Sequence, residues 1–371
     1  RIRDVQGTGK GGFVIAGTAA YCVGDLRIPG YELPWENDYP RPGNLASPLE
    51  IEIEASNGAS DYGNKFGEPL IQGFTRSFDM RVDDERWAYL KPIMFTGGIG
   101  QLDSRHEEKS GEEKGMLIVQ VGGPAYRVGF GGGAASSMLQ GENVSELDFD
   151  AVQRGDAEME QKMNRVIRAC NEMGDKTLID VIHDQGAGGP ANVLKELVER
   201  SGGKVEIRDI RVGDPTMSVL EIYVAEYQER TGFLIRPENI KAFQKICERE
   251  KVGCELLGEV TGDLKFIVTD RDNNTTPVNI DLDTLLGEIP QKTFEDNRQQ
   301  IKTTPLELPE NLTVADALFD VFRLVSVGSK RFLTNKVDRA VTGLIAQQQC
   351  CRPLQLTVAD VAVVAQSHFG Y

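Results

Sequence analysis

Glycine placement constrains the fold of this chain more than any other feature of its sequence. The 371 residues include 40 glycines, and these concentrate in loops that begin where apolar, strand-like runs end. The clearest loop follows the run 116–121 and carries glycine at 122, 123, 129 and 131–133. Ordering glycine costs more backbone entropy than ordering other residues. Such a loop therefore indicates either a ligand, whose oxygens backbone N–H groups can bind, or close packing of backbone segments.

Apolar runs and helical patterns alternate along the chain, which predicts α/β and mixed α+β layers. One amphipathic helix is expected over 156–174, where apolar residues recur at spacings of three and four and Asp156 and Gly174 mark the ends. Further helices are expected over 190–200 and around 240–247. The proline-rich segment 26–48 predicts an extended surface excursion. Strands are expected at 13–24, 51–54, 116–121, 178–183, 204–210, 219–225, 232–235, 255–260 and 264–268.

Charge and cysteine content exclude several classes of protein. The net charge of −16 argues against a nucleic-acid-binding protein, which needs a basic surface to neutralise phosphates. No run of about 18 apolar residues is present, so a membrane span is not expected. The six cysteines form no CxxC pair and no zinc spacing, which predicts reduced thiols in a cytoplasmic protein, with Cys22 and Cys170 in the core. The chain begins at Arg1 and ends directly after an apolar run, so we expect it to be truncated at both ends.

Two motifs combine acidic residues with glycine. Arg3-Asp4 is followed by a glycine-rich turn over residues 7–12, and Asp184 lies at the end of a strand, before the glycine-rich start of a helix at 186–190. A carboxylate in that position suits a magnesium–phosphate site, because Mg²⁺ binds one or two carboxylates together with phosphate oxygens. An ordinary flexible turn is the alternative for residues 7–12. Helix capping or loop bonding is the alternative role for Asp184, and a place in the core is the alternative for His183.

Two polar clusters complete the candidate chemistry. Residues 64–76 mix charged, amide and glycine residues at a loop–strand junction, with a surface hairpin as the alternative. Residues 226–230 follow an apolar run, with a solvated edge as the alternative. No cysteine or serine has a convincing histidine partner, and the chain has only three histidines. Glycine loops with spaced carboxylates therefore favour the handling of ATP and Mg²⁺ by positioning and electrostatics.

At these same motifs the chain resembles the large single-chain formylglycinamide ribonucleotide amidotransferases over essentially its whole length. The resemblance implies a tandem duplication of an α/β domain and an α+β domain, like that of aminoimidazole ribonucleotide synthetase and truncated here at both ends. Residues 1–110 would be the rest of the first α/β domain, 111–290 the first α+β domain, 291–313 a linker and 314–371 the start of the second α/β domain. The matching strings are RIRD, LRIPGYELPWE, NKFGEP with QGF, KPIMFTGGIG, GGPAYRVGFGGGAASSM, LDFDAVQRGDAEME, HDQGAGG, EYQER, SKRFLT and DRAVTGLIAQQQ.

The resemblance also implies a reaction. The family converts formylglycinamide ribonucleotide to formylglycinamidine ribonucleotide, with ATP forming an iminophosphate that ammonia from a separate glutaminase domain attacks. Arg3 would contact substrate and nucleotide, and Asp4 and Asp184 would bind magnesium. Many relatives have Ser at the position of Tyr227. The residues that would line the substrate site are Arg3, Gln153, Glu226 and Gln228.

A second nucleotide site is implied as well. In bacterial large-chain relatives this site holds a structural ADP with magnesium, and Asp360 would be its metal ligand. The other residues of this site would be Gln72, Gly73, Phe74, Lys330 and Ala359.

Some expected parts of the family lie outside this sequence. The catalytic histidine would precede Arg1, further metal ligands would follow Tyr371, and the glutaminase domain with its Cys-His-Glu triad is absent from these residues. We therefore expect the 371-residue chain alone to lack full amidotransferase activity. Two other interpretations fit the motifs: another ATP-using member of the superfamily, such as aminoimidazole ribonucleotide synthetase, or a module that binds a nucleotide only structurally.

Overall fold

The computed structural model of the chain describes residues 2–130, 138, 156–287, 290–298, 303–329, 331, 339–354, 357–359 and 361–366. In this part of the chain, two larger sheets carry most of the regular structure. We refer to residues 2–102, built around the first sheet, as the N-terminal unit. Residues 117–286, built around the second, are the seven-stranded unit.

The N-terminal unit is organised around one long strand, β1 (Gly12–Val23). Two short strands pair with one edge of β1 in parallel, and a ten-residue strand pairs with the other edge in antiparallel. The predicted strand at 13–24 is thus confirmed, and no helix or strand lies between β1 and residue 48, as the proline-rich segment predicts. The other elements of this unit are α1 (Ile2–Gly7), α2 (Pro48–Phe66), β2 (Leu70–Gln72), β3 (Thr75–Ser77), β4 (Asp79–Val82), β5 (Glu85–Ala88) and β6 (Ile93–Leu102).

The strand predicted at 51–54 is wrong, because these residues lie within α2. Ser47 begins this helix, since its hydroxyl accepts a hydrogen bond of 3.2 Å from the Glu50 N–H. The burial of these side chains is also the reverse of what a half-exposed strand would give, with its isoleucines buried and its glutamates exposed. Glu52 is buried and accepts a hydrogen bond of 2.7 Å from Thr75 Oγ1, whereas Ile53 is 41% exposed. Four alternating residues are too few to outweigh a cap followed by Pro48.

The seven-stranded unit is mostly antiparallel. Its strand order is β13-β12-β9-β11-β7-β10-β8, and among the described strands only β9 and β12 pair in parallel. The strands are β7 (Leu117–Gly122), β8 (Val181–Asp184), β9 (Gly203–Glu206), β10 (Arg230–Ile235), β11 (Gly253–Val260), β12 (Lys265–Asp270) and β13 (Thr275–Asp281). The helices are α3 (Ala157–Asn171), α4 (Pro190–Glu196), α5 (Val219–Val224), α6 (Ile240–Glu250) and α7 (Leu282–Leu286).

Helices cover both faces of this sheet. Along β7 and β10 successive side chains enter two different cores, so that Ile118 and Leu234 face one core and Val119 and Phe233 face the other. The α4 and α5 helices contribute to the first core, and α3 and α6 contribute to the second. Strands buried on both faces read as continuous apolar runs, which is why β7 and β10 could be predicted from the sequence.

A second strand prediction, at 219–225, is also wrong, because this segment forms α5. A capping box begins the helix: Ser218 Oγ accepts from the Glu221 N–H at 3.2 Å, and Glu221 Oε2 accepts from the Ser218 N–H at 2.7 Å. The strand expected at 204–210 ends at residue 206 and continues as a 3₁₀ turn. The helix expected to reach Gly174 ends at Asn171.

Helix α3 joins the two units through polar side chains. Asn171 Nδ2 donates to Gly12 O at 2.8 Å, and its Oδ1 accepts from Gly11 N at 3.3 Å. One turn earlier, Arg168 pairs with the buried Glu68 at 2.6 Å. Asn164 donates to Phe66 O at 3.2 Å and accepts a hydrogen bond from Gln6. The same helix thus packs its apolar face into the core and binds the N-terminal unit with its polar face.

The remaining described residues carry little regular structure. Residues 290–298 and 303–313 contain no helix or strand, and the linker at 291–313 stays a prediction. They are followed by α8 (Val314–Arg323) and by the short strands β14 (Ile345–Gln347), β15 (Cys350–Cys351), β16 (Thr357–Val358) and β17 (Val363–Val364). None of the helices in the described ranges has the length and apolar character needed to cross a membrane.

Candidate functional site

The candidate site is centred on Arg3, which α1 presents to the end of strand β8. The side chain is buried, with 7% of the residue exposed. One guanidinium nitrogen donates to Gln228 Oε1 at 2.9 Å. Another donates to Asp184 Oδ2 at 2.9 Å and also to the backbone oxygen of Gln185. A single buried cation from the N-terminal unit therefore holds two segments of the seven-stranded unit.

The segment 226–230 enters the site from the start of β10. Glu226 and Gln228 are 2% and 7% exposed, so the solvated-edge alternative is wrong. Gln228 Nε2 donates to Glu226 Oε1 at 2.8 Å, which extends the polar contacts away from Arg3. The Tyr227 ring forms an edge-to-face contact with Tyr126, at 5.8 Å between centroids. The tyrosine ring thus packs against another aromatic ring and not against the polar pair.

Close backbone contacts bring the glycine-rich loops to this segment. Gly189 has φ of 56°, and a Cβ there would lie 2.2 Å from Ala225 O. Gly129 has φ of 75°, and a Cβ there would lie 2.4 Å from Glu226 Cβ. No other residue fits such positions without moving the backbone. For these two glycines, backbone packing is sufficient reason for the residue type. Residues 131–137 lie outside the described residues, and ligand contact there stays a prediction.

The two acidic residues predicted to bind magnesium have different surroundings. Asp184 is paired with Arg3, and its side chain is 25% exposed; its Oδ1 lies against Gly7, where a Cβ would be 3.0 Å away. Asp4 is exposed on α1. Gly189, not Asp184, occupies the capping position of α4. Within the described ranges, no three His, Cys, Asp or Glu side chains form a group that could bind one metal ion.

The structure describes only part of the predicted second nucleotide site. Lys330 and Asp360 lie outside the described residues, as does the side chain of Gln72. Gln153, which is predicted for the substrate site, also lies outside them. Gly73 packs directly on β1, because a Cβ there would be 1.7 Å from Ala19 O. The Phe74 ring lies 5.5 Å from the Phe95 ring and under the Arg76 guanidinium. The Ala359 N–H donates to Gln349 O at 2.6 Å.

A buried polar chain extends from the site across the sheet. Gln185 and Gln120 are both completely buried, and Gln120 Nε2 donates to Gln185 Oε1 at 2.6 Å. Arg230 is also completely buried and donates to Gln120 Oε1 at 2.6 Å and to Gly123 O at 2.6 Å. Burial lowers the pKa of Arg230 to about 10, although the nearby Glu255 carboxylate opposes this shift. Burial in turn raises the pKa of Glu255.

Comparison with known proteins identifies the family. Residues 113–271 match the family model "AIR synthase related protein, C-terminal domain", and residues 329–371 match "FGAR-AT PurM_N-like domain". A probable phosphoribosylformylglycinamidine synthase of Arabidopsis thaliana is 54% identical over 99% of this chain. The phosphoribosylformylglycinamidine synthases of Dictyostelium discoideum and Homo sapiens are 54% and 53% identical over 100% and 99% of it. This chain belongs to the phosphoribosylformylglycinamidine synthase family. It spans between 27% and 29% of the length of these three relatives.

Solved structures agree with the fold of this synthase family. "T. maritima PurL complexed with FGAR" superimposes with a TM-score of 0.57 and 22% identity, over 84% of this chain and 44% of that one. "T. maritima PurL complexed with ATP" has a TM-score of 0.52 and 19% identity, over 84% of this chain and 43% of that one. Together with the two family models, these matches confirm the predicted combination of α/β and α+β domains of the aminoimidazole ribonucleotide synthetase type.

Sequence reasoning about this synthase family missed the buried polar chain. Gln185 and Arg230 lie within the strings HDQGAGG and EYQER, where the resemblance implies roles only for their neighbours. Gln120 lies within the predicted strand 116–121. A usable signal was present, because a glutamine within the otherwise apolar run LIVQV must find hydrogen-bonding partners inside the protein.

Proposed function

We propose that this chain is part of an ATP-dependent synthetase that converts formylglycinamide ribonucleotide and ammonia to formylglycinamidine ribonucleotide. The observation that carries the proposal is the cluster of Arg3, Asp184, Gln228 and Glu226, which joins three segments in one polar site where all but Asp184 are buried. The family match supports the choice of reaction. Of the two similar PurL structures, one is named as a complex with FGAR and the other as a complex with ATP. The activity belongs to the whole protein, since the chain covers little more than a quarter of its relatives.

The side chains of the cluster suit a substrate that carries both an amide and a phosphate. Arg3 is a permanent cation that can bind anionic oxygens in a fixed, planar arrangement. Glu226 and Gln228 provide an acceptor and an amide beside it, at a depth that bulk water does not reach. Exclusion of water protects a reactive intermediate such as an iminophosphate from hydrolysis. The Tyr227 side chain packs away from this pair and takes no part in the proposal.

Magnesium fits the available ligands only together with a nucleotide. Asp4 and Asp184 can provide two carboxylates, which is the number that Mg²⁺ uses when phosphate oxygens complete its octahedral shell. Mg²⁺ would neutralise charge on the phosphates. Asp184 would keep its orientation through Arg3, which holds one of its oxygens at 2.9 Å.

The remaining assignments belong to the same proposal. We assign residues 1–110 and 111–290 to the first α/β and α+β domains, 291–313 to a linker and 314–371 to the start of the second α/β domain. A second nucleotide site would include Gln72, Gly73, Phe74, Lys330, Ala359 and Asp360. Gln153 would join the substrate site. Ammonia would come from the glutaminase domain of the whole protein, in the cytoplasm.

The proposal is tested by Asp184→Asn in the full-length protein. The substitution keeps the size of the side chain but removes the charge that would bind Mg²⁺ and balance Arg3. We expect the turnover of formylglycinamide ribonucleotide with ATP and ammonia to fall about 100-fold or more. Calorimetric titration should also show weaker binding of ATP–Mg²⁺.

Asp180→Asn is the matched control, because Asp180 lies just before the opposite end of the same strand and pairs with Arg236 at 3.3 Å. Its turnover should stay within about twofold of the wild-type value. If Asp184→Asn and the wild type had equal turnover and equal affinity for ATP–Mg²⁺, Asp184 would have no role in the reaction.

A further inference from the structure

The buried chain from Arg230 to Gln185 has a fixed hydrogen-bond direction. Arg230 can only donate, and it donates to Gln120 Oε1. Gln120 must therefore direct its Nε2 towards Gln185 Oε1, and Gln185 directs its Nε2 towards Tyr227 O, at 2.7 Å. The backbone oxygen at the far end can only accept. Neither amide can be reversed without placing two donors or two acceptors against each other, so the chain has one arrangement.

Gln185 connects the two halves of the candidate site. Its backbone oxygen accepts from Arg3, and its backbone N–H donates to Arg230 O at 3.1 Å. Its side chain holds the backbone at Tyr227, which lies between the two proposed substrate ligands Glu226 and Gln228. It directly follows Asp184 in the sequence. A movement of the Gln185 side-chain amide would therefore shift the half of the site that contains Asp184 relative to the half that contains Glu226.

We propose that Gln120, Gln185 and Arg230 are positioning residues, which fix the distance between the proposed magnesium–phosphate side of the site and its substrate side. The inference rests on the proposed function. The three residues are completely buried, so they act through Arg3 and the backbone at 227 and do not touch the substrates. Reacting groups that are misplaced by about 1 Å can slow a reaction about 100-fold. A defect in this chain should therefore lower kcat more than it raises KM.

The most informative variant in the full-length protein is Gln120→Glu. A carboxylate keeps the partner of Arg230, so the buried cation stays paired. The variant loses the amide that donates to Gln185 Oε1. A carboxylate oxygen of residue 120 then faces Gln185 Oε1, so that two acceptors oppose each other. We expect kcat to fall at least tenfold, with the KM values for ATP and formylglycinamide ribonucleotide changed less than threefold. Gln185→Met, which has nearly the same shape but no amide, should act in the same direction.

Asp270→Asn is the control for loss of stability. Asp270 is a buried carboxylate of the same sheet that binds Arg208 at 2.7 and 3.0 Å, but three strands separate β12 from β10. Its kcat should stay within twofold even where its melting temperature falls as much as that of Gln120→Glu. The inference is wrong if Gln120→Glu and Gln185→Met keep kcat within twofold, if the loss is confined to KM, or if Asp270→Asn loses as much kcat.

Amide hydrogen exchange gives a second measurement that does not depend on activity. Gln120→Glu should increase exchange at the backbone of residues 185–189 and 226–228, and Asp270→Asn should not. Unchanged amide exchange in Gln120→Glu would overturn the inference, whatever the turnover of that variant. Absence of turnover in the wild type would instead overturn the proposed function, and the exchange result would still decide whether the chain positions these segments.

Discussion

Strand β10 of the seven-stranded sheet and strand β6 of the N-terminal sheet differ sharply in burial. All six residues of β10 are buried, whereas most of the ten residues of β6 are exposed, including Phe95 and Ile99 at 50% and 59%. Helices cover both faces of the seven-stranded sheet. In the described residues, by contrast, β6 keeps apolar side chains on the surface.

The difference shows that the two units contribute to the site in different ways. The seven-stranded unit carries its own apolar core, and its loops hold Asp184, Glu226 and Gln228. The N-terminal unit contributes Arg3, whose partners lie in the other unit. Polar contacts of α3 keep the two units together. The site therefore depends on the contacts between the two units, which we call the seam, as much as on either sheet.

The largest expected effect compares two aromatic residues of the two sheets. Phe233→Ala in β10 removes a fully buried ring that lies 5.4 Å from the Phe243 ring. We expect a loss of about 3–5 kcal/mol in the free energy of unfolding. Phe95→Ala in β6 should cost less than about 1 kcal/mol, because half of this residue is already in water. Urea unfolding would measure both, and equal losses would contradict the difference in burial.

A smaller effect is expected from two glycines within the N-terminal unit. Gly73→Ala would place a Cβ 1.7 Å from Ala19 O, so β1 and the following loop must separate, at a cost of about 1–3 kcal/mol. Gly58 lies in α2 with open space around it, and Gly58→Ala should stabilise the helix by about 0.5–1 kcal/mol. Melting temperatures should therefore move in opposite directions. A shift in the same direction would argue against the close contact at Gly73.

The seam itself is tested by Asn171→Ala. This change removes the bonds to Gly12 O and Gly11 N and leaves buried backbone groups without these partners, which costs about 1–3 kcal/mol. Limited proteolysis should then cut between the two units earlier than in the wild type. The matched control is Asn239→Ala at the start of α6, where the side chain makes no capping bond. Equal sensitivity of both variants would show that Asn171 does not hold the seam.

The smallest effect concerns the pH dependence of the surface excursion after β1. Burial, together with the neighbouring Glu36 and Asp79, raises the pKa of Asp25 to about 6, against an opposing contribution from the Asn37 N–H and Arg27. The folded state then binds more protons than the unfolded state between about pH 4 and pH 6, so stability falls as the pH rises through this window. Asp25→Asn removes this pH-dependent loss of stability. The melting temperature of the variant minus that of the wild type should increase from pH 4 to pH 7, and a constant difference would contradict this prediction.

Most of the regular elements and the motifs of the site could be predicted from the sequence. The strands β1, β7 and β10 follow from continuous apolar runs, and the apolar stripe of α3 places Met163 and Cys170 in the core, where both are fully buried. Cys22 is buried as predicted. The two wrong strands, at 51–54 and 219–225, share one cause. Segments of four to seven residues fit either structure, and the capping serines at 47 and 218 decide in favour of a helix.

The sequence by itself determined the family, the fold class and the candidate residues Arg3, Asp184, Glu226 and Gln228, because each lies in a distinctive string or at the end of an apolar run. Only the tertiary structure decided which of them meet. Arg3 is more than 180 positions away from Asp184 along the chain, and the contact exists because α1 packs on the end of β8. The direction of the Gln120–Gln185 chain was decided there too. A hydrogen bond depends on which atoms face each other in space, and spacing along the sequence does not contain that information.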